Sequence, residues 1–251
     1  MMDQPASGAW NMALDAALLE AAERDGLSTL RLYAWQPATL SFGRNEPALQ
    51  RYDRAGIAAR GLATVRRPTG GRAVWHDREV TYAVAAPATT FGPLRQTYHE
   101  IHTMLAAALG ALGARVSLAA DRPAAGVGAG ACFASAAGGE VIAPDGGKVV
   151  GSAQVRSGGA FLQHGSILLS AGQDLVASVT VGRAEPPNAR GLEELVAPAA
   201  ATWDAVSNAV ARAAAARWGS PASGGSAPPH VLDRARALAE RMADQSWTWR
   251  R

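Results

Sequence analysis

Three features of the sequence predict an α+β fold, a mixed and largely antiparallel sheet flanked by helices. Val80, Tyr82 and Val84 alternate with other residues at the period of a strand, and short segments of this kind recur along the chain. Leu94, Tyr98, Ile101, Leu105, Leu109 and Leu112 repeat every three to four residues, the period of a helix. Turn residues separate the segments, and Pro144-Asp145-Gly146-Gly147 is placed to close a hairpin.

The elements follow in order. Ser7 can cap a helix over Gly8–Arg24, in which Trp10, Leu14 and Leu18 share a stripe. Leu30–Ala34 and Thr39–Phe42 read as strands, the second ended by Gly43. Asp53–Arg60 reads as a short helix closed by Gly61, and Ala63–Arg66 as a strand before a Pro68-Thr69-Gly70-Gly71 turn. The strand containing Val80–Val84 ends before Pro87. Gly113 follows the long helix as its C-cap, and His99 and His102, three apart, are expected on that helix's polar face. Val116–Leu118 is a short strand, and residues 121–139 form a Gly- and Ala-rich loop. Glu140–Ala143 and Lys148–Arg156 are expected to pair as a hairpin, with Ala160–Leu169 a further strand. Helices are expected over Trp203–Trp218 and Val231–Met242, joined through Pro221–Pro229. The whole of 1–251 is read as one domain with a short helical C-terminal extension from about 221.

Composition narrows the function classes. The chain has 251 residues, 48% of them apolar and 18% charged, enough for a full core. No apolar run reaches about 18 residues, so no membrane span is expected. The first ten residues lack a basic stretch followed by an apolar one, so no secretory signal is expected. A single cysteine, Cys132, forbids an internal disulfide, and a cytoplasmic location is the default. The net charge is +3 and the pI near 9.5, with no basic tail. Direct nucleic-acid binding is therefore not expected, whereas an acidic protein partner suits the charge. A monomer is the default.

The 24 basic residues are 23 arginines and one lysine, Lys148. In a chain that uses arginine almost everywhere, the surviving lysine marks a place where a compact ammonium differs from a planar guanidinium. Chance is the competing explanation. Lys148 opens the segment Lys148-Val149-Val150-Gly151-Ser152-Ala153-Gln154, whose small mid-strand residues suit close approach of a ligand. Arg66-Arg67-Pro68-Thr69-Gly70-Gly71-Arg72-Ala73-Val74-Trp75-His76-Asp77 combines paired glycines with arginines. It can line an acyl group or cradle a phosphate, or be a plain turn with solvated arginines. It is neither a Walker A loop nor GxGxxG. His164-Gly165 interrupts the apolar strand Phe161–Leu169 and fits either a core histidine or a site. Cys132 lies in a Gly-rich loop rather than in a periodic apolar segment, which favours access; a nearby ammonium would raise its thiolate fraction. No Gly-x-Ser-x-Gly elbow is present, and the five dispersed histidines lack metal-ligand spacing, so no metal is expected.

Taken together, these segments resemble the lipoate–protein ligase/octanoyltransferase family. The resemblance rests on Arg-Arg-Pro-Thr-Gly-Gly-Arg-Ala-Val-x-His-Asp, Lys-Val-Val-Gly-Ser-Ala-Gln and Gln-His-Gly-Ser-Ile-Leu-Leu, in order and spacing. Asn11-Met12-Ala13-Leu14-Asp15 and Leu30-Arg31-Leu32-Tyr33-x-Trp35 add to it. It covers residues 7 to about 218 and implies the catalytic-domain fold shared with biotin protein ligases. Ala131-Cys132-Phe133, before the lysine motif, is similar to the cysteine-dependent octanoyltransferases of the family, and so is Gln163-His164-Gly165-Ser166. The Gly- and Ala-rich stretches on both sides of Cys132 depart from the family pattern.

The resemblance implies Cys132 as nucleophile and Lys148 as its partner. It implies Arg67, Thr69, Gly70, Gly71, Arg72, His76, Gly151, Ser152, Ala153, His164 and Gly165 as substrate-binding residues. The implied donor is octanoyl-acyl carrier protein, and the acceptor is a lysine of a lipoyl domain, on a glycine cleavage H protein or a dehydrogenase E2 subunit. No cofactor is required in this reading. The alternatives are an ATP- and Mg2+-dependent lipoate–protein ligase and a non-catalytic acyl or lipoyl-domain binding protein.

Overall fold

The strand and helix periods resolve into three sheets and the helices that cover them. The computed structural model of the chain describes residues 1–120, 133, 138–220 and 225–250. The order is α1 (Gly8–Asp25), β1 (Thr29–Tyr33), β2 (Thr39–Phe42), α2 (Ala48–Arg51), α3 (Arg54–Ala59), β3 (Ala63–Arg66), β4 (Val74–His76), β5 (Glu79–Pro87), α4 (Leu94–Ala111), β6 (Ser117–Leu118), β7 (Val141–Ile142), β8 (Val150–Ser157), β9 (Ala160–Leu168), α5 (Asp174–Ser178), a 3-10 turn (Leu192–Glu194), α6 (Trp203–Trp218), α7 (Pro229–Ala243) and α8 (Gln245–Thr248). Among the described residues no helix is long and apolar enough to cross a membrane.

The main sheet runs β1-β5-β9-β8, antiparallel throughout. Its central strand β5 is buried on both faces, and its alternation sorts large from small. Val80, Tyr82 and Val84 meet Ile101, Leu105 and Leu109 of α4 and Val206 and Val210 of α6. Ala83 and Ala85 face the other way, where α1 packs with α7 over the alanines. Burial of a full Leu- or Val-sized side chain stabilises by about 1.5–3 kcal/mol, so these two layers supply most of the driving force. Ser7 caps α1 by accepting from the Trp10 N–H, and Gly26 ends it in the left-handed region at φ 69°.

A second sheet, β3-β2-β4, pairs β2 parallel with β3 and antiparallel with β4. It turns Leu40 and Phe42 onto Tyr52, Ile57, Val176, Val179 and Trp249. Its opposite side carries Ser41 and His76 into the cleft described below. Sequence reading missed β4, α2, α5 and α8, all of five residues or fewer and too short to show a period.

The expected hairpin is only partly realised. Its turn closes, with Ala143 N–H donating to Gly147 O at 2.8 Å and Val149 N–H to Val141 O at 3.0 Å. β7 then pairs with β6, whereas β8 pairs with β9. Lys148 sits between, in single bridges to Ile142 and Ala189. The strand expected to end before Pro87 includes it. Of the loop expected over 121–139, residues 121–132 and 134–137, and so Cys132, lie outside the described residues. So do 221–224 of the expected linker.

Arg66, which opens the segment that the sequence left as a ligand-lining loop or a turn with solvated arginines, is buried. Its guanidinium donates to the carbonyls of Gly43 (2.6 Å), Glu46 (2.9 Å), Thr248 (2.9 Å) and Arg250 (2.9 Å). It thereby sews the C-terminal turn onto the small sheet. Arg66→Ala leaves several buried carbonyls without this donor and is expected to destabilise the protein by about 3 kcal/mol. Urea denaturation reads this directly, and a loss under about 0.5 kcal/mol would refute the role.

Candidate active site

A cleft of about 340 Å³, partly open to solvent, lies where α1, β2, β4, β8 and β9 converge. Of the residues singled out in the sequence, Arg67, His76, Gly151, Ser152, Ala153, His164 and Gly165 line it. Met12, Tyr33, Trp35, Ser41, Val74, Thr81 and Ser166 line it as well. Thr69, Gly70, Gly71 and Arg72 are not among its lining residues; Thr69 meets the lining residue His164, and the carbonyls of Gly70 and Arg72 meet Arg67.

The wall is organised by Asp15, a fully buried carboxylate on α1. It accepts from Arg31 Nη1 at 2.7 Å, Tyr33 Oη at 2.8 Å and His164 Nδ1 at 2.8 Å. Burial alone would raise its pKa; the bond from His164 and the charge of Arg31 outweigh that and hold it below the usual carboxylate range. His164 is held below the ordinary histidine range by its own burial, which outweighs the pull of Asp15. The ring is therefore neutral at pH 7, with its proton on Nδ1 facing the charged carboxylate. Nε2, at 2.6 Å, accepts from the Thr69 hydroxyl. Arg31 spends its other donors on Asp3 and on the carbonyl and side chain of Asn11. The segments Asn11–Asp15 and Leu30–Trp35, read in the sequence as helix and strand and linked to a site only through resemblance, thus supply the anchor for His164.

The second histidine, His76, is bracketed in the same manner. Nδ1 is 2.9 Å from Glu79 Oε1, Nε2 is 2.7 Å from Ser41 Oγ, and the ring stacks on Trp35 at 4.0 Å. Thr81 and Ser166 also donate to Glu79, and Trp35 Nε1 donates to Thr81. Arg67 is turned inward. Its guanidinium donates to Ser41 O and Oγ and to the carbonyls of Gly70 and Arg72. It shapes the glycine turn, with these groups rather than a ligand anion as its partners. Gly71 adopts φ 87°, and its carbonyl lies so close to Gly43 that a Cβ there would stand 1.9 Å from it.

Near the start of β8, Gln163 donates to Tyr82 Oη at 2.8 Å, which lies 2.6 Å from Ser152 Oγ, itself 2.8 Å from His102 Nε2. His102 is fully buried, not on the polar face of α4 as expected; only His99 is exposed. Burial, and then the charge of Lys148, lowers the pKa of His102 to about 3. Lys148 is buried too, its Nζ 2.7 Å from Glu140 Oε1, and it is not among the cleft's lining residues. Tyr98 donates to the same carboxylate oxygen at 3.1 Å. Phe133, the residue after Cys132, is buried with Lys148 Nζ 5.0 Å from its ring centre. A Cβ on Gly151 would stand 2.5 Å from that ring, so this glycine is explained first by an aromatic neighbour. Among the described residues no group of three or more His, Cys, Asp or Glu side chains could hold a metal ion.

A family model described as the lipoyl protein ligase A/B catalytic domain matches residues 7–208. Two proteins named octanoyltransferase LipM, from Kyrpidia tusciae and Moorella thermoacetica, are 44% and 45% identical to this chain over 65% and 66% of it. The chain spans 62% and 63% of their length. A third protein of that name, from Anoxybacillus flavithermus, is 36% identical over 75% of this chain and 70% of its own. A solved lipoate-protein ligase A bound with ATP matches at TM-score 0.83 and 18% identity, over 99% of this chain and 97% of that one. A bi-partite lipoate protein ligase from Thermoplasma acidophilum matches at 0.78 and 19%, over 99% and 94%. At such identities the structural likeness shows the fold alone.

The lowered pKa of His102 fixes a sign for stability against pH. The unfolded chain binds a proton there below about pH 6.5, whereas the folded chain resists protonation down to about 3. This contribution is therefore complete above pH 6.5 and lost as pH falls through that window. Between pH 7 and 5, wild type is expected to lose about 2 kcal/mol more than His102→Gln in urea denaturation. Parallel losses would contradict the assignment.

Proposed function

The chain belongs to the lipoyl protein ligase A/B catalytic-domain family, and on that premise we propose that it is a cysteine-dependent octanoyltransferase of protein lipoylation. In this reading the thiolate of Cys132 attacks the thioester of octanoyl-acyl carrier protein. A C–S bond to Cys132 forms, the bond to the carrier sulfur breaks, and the carrier leaves as a thiolate that takes up the proton Cys132 lost on ionising. The amine of a lipoyl-domain lysine, on a glycine cleavage H protein or a dehydrogenase subunit, then attacks the acyl-enzyme. An amide forms, the C–S bond to Cys132 breaks, and the proton lost by the amine passes to the departing sulfur, which regenerates the Cys132 thiol. Each step exchanges an activated acyl group, so no ATP is consumed.

Lys148 stabilises the thiolate and the oxyanion of both tetrahedral intermediates. A guanidinium there would be bulkier and differently directed, in keeping with the retention of a lysine in an arginine-rich chain. His76, Ser152, Ala153, His164 and Gly165 bound the acyl chain, with Arg67, Thr69, Gly70, Gly71, Arg72 and Gly151 holding that wall in shape. The observation that carries the reading is the seat of Phe133 against Gly151, beside the ammonium of Lys148. Phe133 is the residue that directly follows Cys132 in the sequence. The curated octanoyltransferases similar to the chain support it further.

Incubation with octanoyl-acyl carrier protein, without ATP, is expected to add one hydroxylamine-sensitive octanoyl group to the intact protein and none to Cys132→Ser. Lys148→Arg is expected to slow that acylation by about 10²-fold. An unmodified wild type, together with lipoate- and ATP-dependent labelling of the acceptor, would replace this reading with the ligase.

A further inference from the structure

We propose that Glu140 is a positioning residue for Lys148: its carboxylate keeps the ammonium charged and aimed within the buried corner beside Phe133. The inference rests on the reading above, in which Lys148 is the partner of Cys132.

The side chains of Lys148 and Glu140 are each 3% exposed, with Nζ and Oε1 2.7 Å apart. An ammonium taken out of water favours its neutral form unless an opposite charge is close. Neutral, Lys148 could stabilise neither a thiolate nor an oxyanion. Several described groups lie around this pair. Tyr98 of α4 donates to Glu140 Oε1, the oxygen that also meets Lys148, and so helps fix the carboxylate. His102 of α4, one turn on, is neutral at physiological pH and adds no competing charge. Arg190 pairs with the Lys148 backbone, but its guanidinium turns away to Asp145 and Glu194. Glu140 is the carboxylate that meets Lys148 among the described residues. The arrangement also reaches the cleft, because Tyr98 packs edge-on against His102 at 4.1 Å and His102 meets Ser152.

Lys148 is the only lysine in the chain, which makes the test specific. Protein labelled with 13C at the lysine ε-carbon has one such resonance, and its titration reads Lys148 alone. The wild-type midpoint is expected at or above the free-lysine value of about 10.4. In Glu140→Gln it is expected to fall by about one pH unit or more, and in Glu140→Asp by less. The descending, high-pH limb of the Cys132 acylation rate is expected to move with it, through kcat rather than KM. An unchanged midpoint in Glu140→Gln would overturn the proposal; should that variant fail to fold, an unchanged midpoint in Glu140→Asp would do so. If wild type forms no thioester on Cys132, the octanoyltransferase reading fails, while the lysine titration still judges Glu140.

Discussion

The carboxylate of Asp15 is the constraint on which the cleft depends. It is a full negative charge with no solvent contact, placed by the first helix against side chains of β1 and β9, which flank β5 in the main sheet. Such a charge is tolerable only when its lone pairs are matched, and removing one partner of a buried pair costs about 3–5 kcal/mol. Arg31, Tyr33 and His164 match it here, and His164 passes the constraint on to Thr69. Four stretches far apart in sequence are thereby held in one register. The hydrophobic layers bring α1 against the sheet, but it is this polar cluster that decides which way His164 points.

Around that anchor the cleft divides its work. One wall is rigid and polar, with two imidazoles each held between a carboxylate and a hydroxyl and with Arg67 spent on shaping the glycine turn. Groups so held are already oriented when a ligand arrives, which lowers the ordering cost of binding. The other corner holds Lys148 in a buried ion pair next to the aromatic ring that closes over Gly151. In the transferase reading the wall receives the acyl chain and the corner does the chemistry, with Ser152 joining the two.

Elements with a sustained period were legible in the sequence, because alternation and three-to-four spacing report which face meets a core. α1, α4, α6 and β9 follow that pattern closely, whereas β2 and β3, four residues each, were legible from the turn residues beside them. Elements of three to five residues, such as β4 and α2, carry no period and are created by their neighbours. The hairpin at 144–147 misled for a related reason. A turn motif specifies its own closure, whereas β9, lying alongside, captured β8. His102 looked solvated because its spacing from His99 is helical, yet only tertiary packing decides which flank of a helix is covered. The cleft residues were partly legible through small residues inside strands, and the buried corner beside them through the lone lysine. Their partners Glu140, Glu79 and Tyr98 were not, since a buried ion pair between segments leaves no local pattern.

The claim that Asp15 sets the state of the cleft is tested most directly by 15N NMR of the histidine rings, with His164 assigned from a His164→Asn variant. At pH 7 the wild-type ring should be neutral, protonated on Nδ1 and accepting at Nε2, and Asp15→Asn should disturb that tautomer. An imidazolium, or a proton on Nε2 in the wild type, would contradict the account.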